Sequence, residues 1–322
     1  MIWRISKMSS PLPKAQSDRL KNLAACASIS VAVALCLLKI FGALVTDSLA
    51  VLSSMVDSLS DIFASLITLI AVRYSAKPAS INHRYGYGKA EALSSLTQAA
   101  FIAGSGLFVM YDGFSRFIAP RPIADTGIGL VIMVASIIAT LVLITFQRRI
   151  ACLTKSQAIL ADSAHYVVDL LTNGSIVISL IVVKFFDWLW FDTLTAVLIS
   201  AYLLFNAYDL AKQAIAQLLD QELDENIKNK VANDAKSFDF VRGIHDFRSR
   251  DLGGTYLFEF HLELDGELPL YQAHHYCNMV EEKILHKYPD AQIIIHQDPA
   301  GIKEDRLDNK IKPFKKKGKQ NA

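Results

Sequence analysis

From about residue 20 to about residue 212 the chain is a succession of long apolar runs separated by short charged loops, and from 213 onward charged and polar positions take over. A hydrocarbon core of ~30 Å is crossed by about 20 apolar residues in helical form. On that measure the runs predict helices near 22–45, 49–73, 90–118, 126–147, 157–183 and 188–211. The later pattern is shorter in period and length. A helix is expected from Asp224 to Ser237, and alternating runs at Val241–Arg250 and Thr255–Leu264 read as strands joined at Gly253 and Gly254. A second helix follows Pro269 through Lys287, and the apolar run Gln292–His296 closes the domain as a third strand. The predicted fold is therefore six transmembrane helices followed by an α+β domain of order αββαβ, metallochaperone-like in its two layers. The corresponding boundaries are an N-terminal segment 1–21, a membrane domain 22–212, a soluble domain 213–300 and a basic, disordered tail 301–322.

Charge sets the expected orientation. Arg4, Lys7, Lys14, Arg19 and Lys21 precede the first helix, Arg73, Lys77, Arg84 and Lys89 lie between the second and third, and Arg148, Arg149 and Lys155 lie between the fourth and fifth. The alternate loops carry only Arg116, Arg121 and Lys184. By the positive-inside rule both termini and the soluble domain are expected in the cytoplasm. No small-residue cleavage pattern follows a short apolar core, so the first helix is expected to be retained.

Composition removes several classes of function. With 52% hydrophobic and 20% charged residues the chain is too apolar for one soluble domain, and a formal charge of +2 gives no reason to expect a nucleic-acid partner. Cys26, Cys36, Cys152 and Cys277 show no C-x-x-C spacing, so neither a disulfide framework nor a thiolate zinc site is suggested.

Inside the predicted membrane region, Asp57 and Asp61 lie in the second helix and His165 and Asp169 in the fifth, each pair spaced i, i+4. That spacing puts both members on one helix face about a turn apart, so two facing helices can surround one ion. An ionised carboxylate at the bilayer centre costs about 2.5 to 3.5 kcal/mol on insertion scales, and three of them call for a compensating cation or protons. Three carboxylates with one imidazole suit Zn²⁺ and also accommodate Cd²⁺, Fe²⁺ or Co²⁺. Asp47, Asp112, Asp187 and Asp192 fall at helix ends, where interfacial solvation explains them.

Six of the eight histidines, His245, His261, His274, His275, His286 and His296, fall in the soluble domain. His245 and His261 sit on predicted strands, and His296 and Asp298 are two apart on an extended run, pointing to one side. As a group they favour a metal site; periodicity alone does not choose among His274, His275 and His286.

Four segments in order then resemble the cation diffusion facilitators, and specifically the bacterial zinc and ferrous-iron efflux members. They are Val56–Asp61, Asn82–Glu91, Ala161–Asp169 and Ile294–Pro299, within a resemblance running from about 20 to 300. The resemblance implies a homodimer in a bacterial inner membrane that exchanges one ion per protomer, bound at Asp57, Asp61, His165 and Asp169, for protons. It also implies a binuclear cytoplasmic zinc site in which Asp298 bridges two ions held further by His245, His261, His274 and His296. Members often carry a third site after the second helix; here only His83 remains, with Ser80 and Tyr87 where an aspartate and a second histidine would stand, so that site is expected to be absent or feeble. Lys89 and Asp220 occupy positions the family uses for an ion pair at the dimer centre. The expected activity is proton-coupled efflux of zinc first, with iron(II) and cadmium as further substrates. A membrane-anchored metal sensor is the alternative, and an intramembrane zinc hydrolase is disfavoured because H-E-x-x-H is missing.

Overall fold

The computed structural model describes residues 13–46, 49–118, 127–186, 190–303 and 305–311. Six long helices come first: α1 (Lys14–Thr46), α2 (Leu49–Ser75), α3 (Ala90–Ile118), α4 (Gly127–Thr154), α5 (Gln157–Phe186) and α6 (Trp190–Leu218). The shortest has 27 residues, about 40 Å at 1.5 Å per residue, so each exceeds a hydrocarbon core. α1 begins at Lys14 instead of near 22 and α6 continues to Leu218. Hydropathy marks where lipid begins; backbone hydrogen bonding goes on past that point into the polar turns. Of the six, α1, α2, α3, α4 and α6 contain apolar stretches long enough to cross a membrane within the described residues.

Their surfaces sort as a lipid solvent demands. Phe41, Phe108, Tyr111, Val142 and Phe205 face outward, whereas Ala24, Ala25, Ala158 and Ala161 are buried at helix seams, where small side chains let backbones approach. α1 packs on α2 and α4, α4 on α5, and α3 chiefly along α6. On the last seam a Cβ at Gly113 would stand 2.8 Å from that of Ala196, so glycine is what permits the approach.

The chain divides into two compact units, with the main boundary between Leu219 and Asp220. The second unit holds α7 (Glu225–Lys236), β1 (Gly243–Asp251), β2 (Tyr256–Leu264), α8 (Leu270–Lys287) and β3 (Gln292–Pro299), the αββαβ order expected. Asp224 caps α7 by accepting the N–H of Asn226 at 2.8 Å. Gly253 and Gly254, both at positive φ, turn β1 into β2 as expected. β1 pairs antiparallel with β2, and β3 returns through α8 to pair parallel with β2. Alternation splits the sheet by face: Phe258, Phe260, Leu262 and Leu264 pack on Val231 and Ala235 of α7 and on Cys277, Val280 and Ile284 of α8. The odd-numbered positions of β2, with His261 among them, form the opposite face.

Two details matter for what that face does. Register aligns His245 with His261 and His261 with His296, so the three stand on one rung. Just past His245 the ladder is interrupted, the next pair being Arg248 with Glu259, and Asp246 takes a left-handed φ of 49°.

The sequence reading leaves everything after 300 as a disordered tail, and here the structure differs. A four-residue helix, α9 (Leu307–Lys310), folds against β1. The Asp246 carboxylate accepts the N–H groups of Leu307 and Asp308, each at 2.9 Å, and Asp308 Oδ2 accepts the N–H of Asp246 at 2.9 Å. The Asp246 N–H, which the bulge leaves out of the ladder, is satisfied by this exchange. Residues 312–322 lie outside the described residues.

Candidate metal centres

The first centre lies where α2 meets α5. The ligand atoms of Asp61, His165 and Asp169 all fall within 4.8 Å of one another. His165 is 5% exposed, its Nε2 is 3.1 Å from Asp61 Oδ1, and its Nδ1 finds no hydrogen-bond partner among the described residues. Ligands ~2.1 Å from a tetrahedral ion sit about 3.4 Å apart, so small rotamer changes bring this set onto one cation. Asp57 occupies α2 one turn before Asp61; its side chain lies outside the described residues.

Beside this set the bundle encloses a carboxylate that the spacing argument passed over. Asp162, at 0% exposure, accepts from Ser28 Oγ and Gln147 Nε2 at 2.6 Å each and from Thr68 Oγ1 at 3.4 Å. Ser28 and Ser65 share a bond of 2.9 Å, Tyr166 Oη lies 2.8 Å from Ser65 Oγ, and Gln98 donates to Thr68 at 3.1 Å. Side chains from α1 to α5 thus join in one buried polar hub. The sequence signal was available, since Asp162 precedes His165 by three positions and shares its helix face.

Nearer the start of α5 a second buried group ties the helix ends. Lys21 Nζ of α1 donates to Glu91 Oε1 of α3 at 2.8 Å, and Ser75 and Ser156 also donate to the Glu91 carboxylate. Glu91 stands in the first turn of α3, where the helix dipole favours a negative charge.

The second centre is on the open face of the sheet. The ligand atoms of His245, His261 and Asp298 lie within 4.8 Å of one another. Asp298 Oδ2 is 2.7 Å from His261 Nδ1 and 3.3 Å from His245 Nε2, while Oδ1 is 3.2 Å from His296 Nε2. Both carboxylate oxygens therefore face imidazoles, the arrangement a bridging carboxylate needs. His274 is not brought into this group: it sits exposed on α8 with Asn278 at 3.4 Å. Glu263 was missed from the sequence, though His261 and Glu263 are two apart on one strand; its Oε1 is 3.1 Å from His245 Nδ1. Burial by itself would raise the neighbouring Asp246 carboxyl, but the N–H groups of Leu307 and Asp308 and the adjacent His245 and His261 hold it below the usual carboxylate range.

Among the described residues, the loop after α2 holds no such set. Ser80 Oγ and Tyr87 Oη are 2.8 Å apart, and the His83 ring lies 4.6 Å from that of Tyr87. Tyr74 meets Tyr87 edge-on at 4.8 Å, with Lys77 over the Tyr74 ring. Hydroxyls and ring contacts hold this loop. In the first unit Lys89 donates to the Leu218 carbonyl at 3.4 Å, and in the second Asp220 pairs with Arg250 at 3.1 Å.

Comparison with known proteins follows the same division. Residues 25–219 match the family described as the cation efflux transmembrane domain, and residues 223–300 match the cation efflux protein cytoplasmic domain. The cation-efflux pump FieF of Escherichia coli O139:H28 and that of Escherichia fergusonii are each 40% identical to this chain over 284 residues, covering 88% of it and 94% of theirs. Among solved structures, the metal-bound C-terminal domain of the CzcD transporter from Thermotoga maritima is 25% identical, covering 24% of this chain and 93% of its own, with a TM-score of 0.24.

Proposed function

Because the chain belongs to the cation efflux family, the cation diffusion facilitators, we propose that it exports a divalent transition metal, zinc foremost with iron(II) and cadmium as further substrates, in exchange for protons. Its multi-pass helical domain and its C-terminal α/β domain are those of that family. The observation that carries the reading is the convergence of Asp61, His165 and Asp169 from two helices within the bundle; Asp57, one turn before Asp61 on α2, is the fourth ligand we propose. Oxygen and imidazole donors fit zinc, and the same atoms accept protons. Ion and proton thus compete for one set of ligands, which is the condition for exchange by alternating access.

The charge distribution supports cytoplasmic termini, hence export across a bacterial inner membrane, and a homodimer is the assembly. The C-terminal centre, with Asp298 bridging and His245, His261 and His296 around it, holds regulatory zinc. Within one chain His274 makes no contact with that centre among the described residues, so its role as a ligand requires the second copy. A sensor merely anchored in the membrane would have no use for a ligand set inside the helical bundle.

Purified protein in liposomes is expected to move zinc against a counterflow of protons, with Asp61→Ala reducing flux to the protein-free rate. Undiminished zinc flux in that variant would remove the proposed transport site.

A further inference from the structure

The C-terminal centre is gripped by residues beyond position 300, past the matched domain. Asp298 faces His245 Nε2, and Glu263 Oε1 stands behind the same ring, 3.1 Å from Nδ1. That Glu263 oxygen also accepts from Arg306 Nη2. Immediately after His245, Asp246 exchanges three backbone-to-carboxylate hydrogen bonds with Leu307 and Asp308. The segment Arg306–Asp308 therefore holds His245 in two ways, through the carboxylate behind its ring and through the bulge that carries its backbone.

Which imidazole nitrogen is offered to a metal is set by what the other one faces. The Glu263 carboxylate 3.1 Å from Nδ1 and the Asp298 carboxylate 3.3 Å from Nε2 flank the ring and hold it in place by charge. Glu263 itself stands on the ligand face of β2, one alternation from His261, and would compete as a ligand if released. Arg306 neutralises it and fixes its direction.

We propose that segment 305–310 is a working part of the C-terminal metal centre, with Arg306 and Asp308 as positioning residues for His245, so that metal binding and docking of the segment are coupled. The proposal rests on the reading of His245, His261 and Asp298 as a metal centre. Reciprocity follows: zinc tightens the segment by the same factor by which the docked segment tightens zinc.

The test uses the full-length chain in detergent, carrying Asp61→Ala to silence the membrane centre, with zinc alone as probe. Arg306→Gln and Asp308→Asn are each expected to weaken zinc binding about 10-fold, the scale of losses beside metal ligands, and Arg306→Lys to recover part of it. In the chain with residues 306 and 308 unchanged, zinc is expected to slow hydrogen exchange at the Leu307 and Asp308 amides. Affinity within twofold of the parent in both variants, or equal exchange at those amides with and without zinc, overturns the coupling. Adding His261→Ala to the same parent separates the premise: if zinc binding then persists unchanged, the reading of the centre itself fails.

Discussion

His165 Nε2 on α5 stands 3.1 Å from Asp61 Oδ1 on α2, so two helices far apart in sequence are joined through side chains of the proposed transport site. Groups serving one ion fail together. Asp61→Ala and His165→Ala are each expected to reduce zinc flux in liposomes to background, and the double variant to be no worse than either. Additive partial losses in the three proteins would mean that the two residues serve different steps.

The ion pair of Lys21 with Glu91 is nearly closed to solvent, with side-chain exposures of 7% and 5%. Removing one partner strands the other charge, at a cost of about 3 to 5 kcal/mol, whereas an apolar pair of similar volume is close to neutral. Glu91→Leu should therefore lower the thermal midpoint in detergent markedly, and Lys21→Met with Glu91→Leu should restore most of it. A double variant as labile as the single one would contradict this account.

Asp162 acts only as an acceptor toward Ser28, Gln147 and Thr68. Asparagine at that position has the same shape but turns an NH₂ group on donors already in place. The expected cost of Asp162→Asn is about 1 to 3 kcal/mol, from donors left unpaired, read as thermal midpoint. Unchanged stability would show that the hub rearranges freely.

Cys277 is buried against the helical side of the sheet, and burial pushes its thiol up despite a hydrogen bond from Gln297. Cys152 is exposed. The thiolate is the reactive form, so a maleimide at neutral pH should label Cys152 and spare Cys277, whose labelling should rise only in alkali or on unfolding. Equal rates measured by mass spectrometry at pH 7 would be inconsistent with the packing described.

In the loop after α2, Ser80 and Tyr87 already touch and the His83 ring lies tilted against that of Tyr87. Ser80→Asp with Tyr87→His should therefore create a ligand triad and add one bound zinc per chain, counted by equilibrium dialysis. No added zinc would mean that the loop backbone, and not only its side chains, differs from a metal-binding one.

Much of this was legible in the chain. Runs of about 20 apolar residues located the six helices, and alternation located the strands, because both periods follow directly from backbone geometry. The i, i+4 spacing also pointed to Asp61, His165 and Asp169, whose ligand atoms the fold brings within 4.8 Å of one another. What escaped was set by distance across the fold. Glu263 and Asp162 acquire meaning only through neighbours on other elements, His245 in one case and Ser28 with Gln147 in the other. The helix Leu307–Lys310 lies in a polar stretch with no periodic signal, and it is fixed by the Asp246 carboxylate some sixty residues earlier.

The shared rung of His245, His261 and His296 fixes an order of events during synthesis. The outer strands each pair only with the central one, and β3 becomes available only after α8 has been made. A nascent chain that has released β1 and β2 presents a pair of imidazoles without the carboxylate that joins them. Loading of the proposed carboxylate-bridged centre would therefore wait until Asp298 has cleared the ribosome, making acquisition of the ion a late step in maturation.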